Sequence, residues 1–315
     1  MCYPCTSIPF CLMSFLRNTA LAATLLLTSL ATQAQKAAVK PAKAATAASP
    51  AATNALLWEI TGKGLAAPSY VYGTVHLICP TDLVVTEPVK QSFGKAKQVV
   101  LELDMDSPTM MQEMQASMMM NGGQNLQQLL SPTDYTSVGK YLQSKAGVPI
   151  DRVGTLKPFI LSSMLYPALL GCAPASYEAT FVQMAQEQKK EVLGLETVQQ
   201  QMDFFEKIPY KAQGQMLVDM VNKEAEARQE VQQMVTLYKA QNVEELRNMT
   251  TKSLFGFQEY EDVLVNSRNQ SWIGSITKMA ATQPTFFAVG AAHLGGPKGV
   301  LALLRQEGYQ VRPLR

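Results

Sequence analysis

The apolar positions of this chain form short runs near both ends and longer periodic stretches in between. Short runs bounded by Gly, Pro and polar residues are typical of β-strands, and a nearly continuous apolar run indicates a strand buried in a sheet. The first two runs flank a Gly- and Pro-containing turn and predict an opening hairpin. Strands are predicted at residues 56–61, 69–73, 98–104, 191–196, 285–290 and 309–314.

Helical periodicity dominates the middle of the chain. Residues 87–97, 105–190 and 197–283 are predicted to be mainly helical, with interruptions at Gly- and Pro-containing segments. A last helix is predicted to begin at Pro297, the favoured first-turn position, and to end at Gly308. We therefore expect one α/β domain with a large helical insertion between the strands at 69–73 and 285–290.

The N-terminal residues follow the order of an export signal. A basic start at 13–17 precedes an apolar stretch at 19–30 and the small residues Thr32 and Ala34. We predict a signal peptide over residues 1–34, with Met13 as an alternative start, and a flexible Ala/Lys/Pro linker over residues 35–54. The domain then spans residues 55–315, and a periplasmic or secreted location follows. An uncleaved membrane anchor is the alternative, but the apolar stretch is short for a spanning helix, so no transmembrane domain is expected after cleavage.

Composition narrows the functional classes. Hydrophobic residues make up 47% of the chain and charged residues 17%, as in globular proteins. The net charge of +2 provides no basic excess for binding nucleic acid. Cys79 and Cys172 are the cysteines that remain beyond the predicted signal and linker. In an oxidising compartment they either pair as a disulfide or persist as two thiols, and spacing alone leaves both open.

A glycine precedes each of the two histidines by three positions. Gly73–His76 and Gly290–His293 each follow an apolar strand, and the chain has 2 histidines and 19 glycines in 315 residues. By chance this coincidence arises about once in two hundred such chains at average glycine usage. Both histidines then lie just past the carboxyl end of a strand, where open α/β sheets place their sites. Imidazole is a common ligand of divalent metals.

Two histidines need a further ligand to complete a metal site. Glu102, in the apolar stretch 98–104, is the best candidate because a buried carboxylate is costly unless it is paired or metal-bound. Two His and one carboxylate form a common catalytic set. Glu196, at the end of another predicted strand, is a second candidate as ligand, general base or partner of Arg268. The alternatives are core histidines with satisfied hydrogen bonds and an exposed, edge-strand Glu102.

These motifs resemble the TraB/GumN family over almost the whole stretch from residue 56 to 314. The resemblance rests on the two G-x-x-H motifs, the glutamate on the strand after the first, and several shorter matches. The shorter matches are Leu57-Trp-Glu-Ile60, Gly62-Lys-Gly64, Pro68-Ser-Tyr70, Gly194-Leu-Glu-Thr197, Gln199–Gln201, Arg268-Asn269 and Phe287–Gly295.

The resemblance implies a central mixed β-sheet flanked by helices, similar to erythromycin esterase and the haem-binding ChaN proteins. Tiki-like metalloproteases of the same superfamily use a divalent metal, Mn, Co or Zn. Carried over, the metal ligands are His76, Glu102 and His293, and the substrate is a peptide or protein. Haem is the alternative ligand, and a non-catalytic haem- or metal-binding envelope protein using the same pocket is the alternative function.

Roles for the remaining matched residues follow as a hypothesis. Glu196 is expected to act as general base or to support a ligand, and Arg268 to stabilise a developing oxyanion or orient the carboxylates. Asn269 is expected to donate a hydrogen bond to substrate. The Met-rich segment 105–120 suits packing or a plastic binding surface better than a Cu(I) site.

Overall fold

Six β-strands form one mixed sheet in the computed structural model, which describes residues 54–250, 252–253 and 257–315. The order across the sheet is β4-β3-β5-β2-β1-β6. The predicted signal peptide and most of the predicted linker lie outside the described residues. The strands are β1 Leu57–Thr61, β2 Ser69–Thr74, β3 Gln98–Leu101, β4 Glu191–Gly194, β5 Thr285–Gly290 and β6 Gln310–Leu314.

The neighbouring strands β4, β3, β5 and β2 run parallel, so their carboxyl ends lie at one edge of the sheet. In register, Thr74 of β2 pairs with Gly290 of β5, and Val100 of β3 pairs with Phe287. β1 is antiparallel to both β2 and β6, which makes the sheet mixed. The chain is therefore an α/β protein, as predicted.

All described α-helices lie between β2 and β6 in the chain. They are α1 Glu87–Lys95, α2 Met110–Ser117, α3 Leu126–Leu129, α4 Pro132–Ala146, α5 Ile150–Val153, α6 Pro158–Leu170, α7 Tyr177–Glu187, α8 Val198–Glu206, α9 Tyr210–Asn222, α10 Glu224–Lys239, α11 Val243–Thr250, α12 Ser267–Thr282 and α13 Val300–Gln306. Helices α2–α7 connect β3 to β4, and α8–α12 connect β4 to β5. The helices predicted as one insertion between β2 and β5 therefore form two long connections, one before β4 in the chain and one after it.

Two large apolar cores and two smaller clusters of the described residues hold these layers together. The larger one joins the sheet to α1, α7, α12 and α13, with Trp58, Phe93, Phe181 and Phe286 almost wholly buried. The second core lies within the helices, mainly α4, α6, α9 and α10. Burial of apolar surface on this scale is the main stabilising contribution, at roughly 25 cal/mol per Å².

Several predicted element boundaries are wrong, including that of the strand predicted over 191–196, which ends at Gly194 and leaves Glu196 beyond it. The last helix begins at Val300 rather than at Pro297, because the preceding turn contains Gly295 and Gly299, where a Cβ would collide with backbone atoms at 2.7 and 2.1 Å. The third strand ends at Leu101, so Glu102 directly follows the strand instead of lying within it.

Three methionines of the Met-rich segment, Met105, Met110 and Met114, pack against Leu103, Val198 and Met202.

Among the described residues, no helix combines the length and the apolar character needed to cross a membrane.

Candidate active site

Three parallel strands deliver the predicted metal ligands to one edge of the sheet. His76 follows β2, Glu102 follows β3, and His293 ends a 3₁₀ turn that follows the central strand β5. Because β5 lies between β2 and β3, the three side chains meet. Nε2 of His76 lies 4.0 Å from Oε1 of Glu102, and Nε2 of His293 lies 3.9 Å from the same oxygen.

The motif glycines provide space rather than unusual backbone angles. A Cβ on Gly290 would lie 3.3 Å from Oε1 of Glu102 and 3.4 Å from Cδ2 of His293. The bare backbone N–H of Gly290 instead donates a hydrogen bond of 2.8 Å to that oxygen of Glu102. On Gly73 a Cβ would lie 2.8 Å from Leu294 and 3.0 Å from Ala291. Gly73 therefore lets the turn that bears His293 pack directly onto β2.

Hydrogen bonds hold the His293 ring in one orientation. Its Nδ1 donates to Oδ1 of Asn269 at 2.6 Å, while the amide nitrogen of Asn269 donates to the carbonyls of His293 and Lys298. Burial lowers the pKa of His293 to about 3 against the opposing effect of Glu102, and the Arg268 cation acts in the same direction as burial. The ring is therefore neutral, and its Nε2 lone pair faces Glu102 and Arg268.

Asn269 of α12 contacts the His293 ring. Its side chain is fully buried, and both amide atoms are engaged with His293 and Lys298. These contacts orient His293, and the expected hydrogen bond from Asn269 to a substrate stays a prediction.

A residue that the sequence analysis missed holds the other histidine. Glu178, near the start of α7, accepts a hydrogen bond of 2.9 Å from Nδ1 of His76. The same oxygen accepts a hydrogen bond of 2.6 Å from Thr74, and the other oxygen accepts one of 2.8 Å from Ser176. A signal was present: Glu178 shares a helix face with Phe181, three positions later, and a carboxylate on an apolar face needs a partner.

This contact sets the charge of both partners. Enclosure in the cavity favours a neutral His76, but the Glu178 carboxylate outweighs it and raises the pKa of His76 to about 9. Burial would raise the pKa of Glu178, yet His76 lowers it to about 2. The His76 side chain remains 63% exposed.

Arg268 links two buried carboxylates behind the histidines. Its guanidinium contacts Oε2 of Glu102 at 2.5 Å and Oε1 of Glu196 at 2.6 Å. Burial would raise the pKa of Glu102, but Arg268 together with both histidines holds it well below its usual range. Another guanidinium nitrogen, Nη1, lies 3.3 Å from Nε2 of His293.

Glu196 is enclosed by its partners. Besides Arg268, it accepts hydrogen bonds of 3.0 Å from Trp272 and 3.0 Å from Gln201. Its lone pairs are thus directed to protein donors, and it anchors Arg268, the pairing that the sequence analysis had kept as an alternative. Arg268 in turn fixes Glu102.

A disulfide ties the His76 segment to the Glu178 segment. Cys79 and Cys172 are bonded across 93 positions, with Cα atoms 5.8 Å apart. Beside it, Ile78 and Ala175 exchange two backbone hydrogen bonds of 3.0 and 2.8 Å. Both links lie within a few residues of the His76–Glu178 pair, so they fix its geometry.

A family model described as TraB/PrgY/gumN matches residues 56–313, which include every residue of this site. The chain belongs to the TraB/PrgY/gumN family. A relative named Metalloprotease TIKI1, from Danio rerio, is 23% identical over 317 aligned positions, which cover 82% of this chain and 63% of the relative. The chain therefore spans less than two thirds of that relative's length. No solved structure matches this chain.

The donor types of this TraB/PrgY/gumN site suit a divalent metal, but their present spacing is wide. Donors bonded at about 2.0–2.2 Å to one tetrahedral ion lie about 3.3–3.6 Å apart, whereas the nitrogen–oxygen distances here are 3.9 and 4.0 Å. Among the described residues, no three His, Cys, Asp or Glu side chains are arranged to hold an ion as they stand. The chemistry of the set fits, provided that the rings close on Glu102 and the contact between Arg268 and His293 opens.

Proposed function

We propose that this protein is a metal-dependent hydrolase of the peptidase type whose metal ligands are His76, Glu102 and His293. The observation that carries the proposal is that two imidazole Nε2 atoms flank one oxygen of Glu102 at the carboxyl edge of the parallel strands. The likeness to a protein named a metalloprotease supports peptides as substrate.

The contacts on the far side of each ring support the same conclusion. Metal-binding histidines characteristically donate their other N–H to a carboxylate or carbonyl, which fixes the tautomer. Glu178 accepts from Nδ1 of His76, and Asn269 accepts from Nδ1 of His293. Each partner holds the ring proton at Nδ1, so Nε2 is left to offer its lone pair towards Glu102 when the ring is neutral.

The neighbouring residues hold the proposed ligands in place. Arg268 and the N–H of Gly290 keep Glu102 ionised and oriented, and Glu196 keeps Arg268 in place. When bound, a divalent metal lowers the pKa of its water and polarises a carbonyl. The exposed face of His76 allows a peptide to approach, while His293 lies behind it at 8% exposure of its side chain.

We also propose that the protein acts outside the cytoplasm, on the basis of the signal peptide predicted over residues 1–34. The disulfide supports an oxidising compartment, because such bonds are rare where thiols are kept reduced.

Metal analysis of the purified protein tests the proposal. We expect one equivalent of Mn, Co or Zn after reconstitution, lost in His76→Ala, Glu102→Gln and His293→Ala. Glu59→Gln is the matched control, because Glu59 is also a buried glutamate of the sheet but pairs with Arg312. Cleavage of a peptide mixture should follow the metal content. Equal metal content in the control and the three site variants would refute the site.

A Soret absorption band of the same sample would reveal bound haem and thus favour the alternative function. The Glu102 carboxylate between the two imidazoles favours a dication over haem, since it adds a hard anionic donor to the nitrogen pair.

A further inference from the structure

A cavity of about 350 Å³ opens beside the two histidines. His76 and His293 form part of its wall, together with their sequence neighbours Val75 and Ala292. The remaining lining comes from helices α10 and α11, from the residues that lead into α12, and from Tyr166 and Phe205. Any group bound in this cavity therefore lies directly beside the candidate metal ligands.

The wall away from the histidines is mainly apolar. Its central side chains are Met234 of α10, Leu246 and Met249 of α11, and Leu264 and Val265 just before α12. Methionine side chains are flexible and polarisable, and they adapt to apolar groups of different shape. This wall suits a hydrocarbon or aromatic group.

The charged side chains that reach the cavity are engaged with other parts of the protein. Arg268 pairs with Glu102 and Glu196. Glu261 accepts a hydrogen bond of 2.6 Å from Arg247, and Glu230 accepts one from Ser253. Except at His76, a charged ligand group would have to displace one of these partners, whereas an apolar group displaces only water.

The size of the cavity limits the ligand. Small-molecule sites usually have volumes of about 300–1,000 Å³, so 350 Å³ lies near the lower end. The space suits one or two amino-acid side chains better than a large cofactor.

We propose that this cavity is the specificity pocket of the enzyme and accepts a bulky apolar side chain, such as Leu, Met or Phe, next to the peptide bond that is cleaved. This inference rests on the proposed peptidase function. It adds the substrate class, namely peptides with a large apolar residue at one position beside the cleavage site.

Peptide cleavage by the full chain, reconstituted with Mn, Co or Zn, is the first test. The substrates share one octapeptide scaffold with Ala, Leu or Phe placed at each position in turn. A single methylene group in an apolar pocket changes kcat/KM by about 10- to 200-fold, so we expect at least a tenfold preference for Leu or Phe over Ala at one position. Met234→Trp should lower that ratio at least tenfold, and Met234→Leu should preserve it.

The matched control is Met111→Trp. Met111 is a helical methionine of α2 that is 62% exposed and does not line the cavity. Its replacement should leave the ratio unchanged. A preference that Met234→Trp leaves intact, or that Met111→Trp alters equally, would overturn the inference.

A binding measurement keeps this inference separable from the proposed function. In full-chain protein labelled with [methyl-¹³C]methionine, N-acetyl-phenylalaninamide should shift the methyl signals of Met234 and Met249 saturably and leave Met111 unchanged. N-acetyl-alaninamide should produce a much smaller shift. These signals are assigned with Met→Leu variants, and no cleavage is required.

The two measurements fail in different ways. Methyl shifts at Met234 and Met249 without cleavage of any peptide would support the apolar pocket and remove the peptidase function. Cleavage without side-chain preference and without methyl shifts would support the peptidase function and overturn the pocket.

Discussion

His76 donates a hydrogen bond of 2.9 Å from Nδ1 to Glu178, a residue 102 positions later in the chain. Thr74 and Ser176 hold the same carboxylate from either side. A disulfide and a pair of backbone hydrogen bonds join the two segments beside this contact. The orientation of the exposed histidine is thus set by helix α7, which was not part of the site predicted from the motifs.

Glu178→Gln should weaken metal binding by about 10- to 100-fold, the usual effect of losing the group that orients a metal-binding histidine. The amide can donate its N–H to Nδ1, which would place the ring proton on Nε2. Metal affinity is measured by competition with a chelator of known affinity. Glu187→Gln, an exposed change on the same helix, is the control, and equal affinities of the two variants would contradict this role.

Gly290→Ala should remove metal binding and activity, because the new Cβ would lie 3.3 Å from Oε1 of Glu102 and 3.4 Å from His293. Gly274→Ala is the matched control: it lies in α12 with no atom within 4 Å of a new Cβ. That change should keep the metal and raise stability by about 0.5–1 kcal/mol. Metal content and thermal unfolding distinguish the two. A Gly290→Ala protein with full metal content would show that the glycine is dispensable.

Glu196→Gln should destabilise the fold by about 1.5–3 kcal/mol, because it weakens the charge-assisted hydrogen bonds to the buried Arg268 cation while Glu102 still balances its charge. Urea unfolding without added metal measures this loss. Glu307→Gln removes one partner of an exposed pair with Lys63 and should cost less than about 1 kcal/mol. If Glu196→Gln were as stable as Glu307→Gln, Glu196 would not anchor Arg268.

Replacing both cysteines, Cys79→Ser with Cys172→Ser, should lower the free energy of unfolding by about 2–5 kcal/mol. The bond closes a loop across 93 positions, so it restricts the unfolded chain strongly. Metal affinity should also fall, since the bond lies beside the His76–Glu178 contact. Adding reductant to the wild-type protein should reproduce the loss in stability and have no effect on the double variant. A wild-type protein whose unfolding is insensitive to reductant would contradict this account.

The strands and the histidines at their ends can be predicted from the sequence, because both depend on residues that are close together in the chain. Apolar runs bounded by Gly and Pro predict the six strands, and the spacing of Gly73–His76 and Gly290–His293 indicates histidines at strand ends. Parallel strands align their carboxyl ends, so the meeting of His76, Glu102 and His293 at one edge follows once the strand order is known.

The tertiary structure alone adds Glu178 to the site and decides which partner each distant side chain meets. Glu178, Asn269 and Glu196 reach their partners only because α7, α12 and the segment after β4 pack against the same sheet edge. Hydrogen-bond pairing and burial depend on distances in space, and residues 24 to 102 positions apart leave no periodic trace of such contacts. For the same reason the pairing of Cys79 with Cys172 and the apolar cavity beside the histidines emerge only from packing.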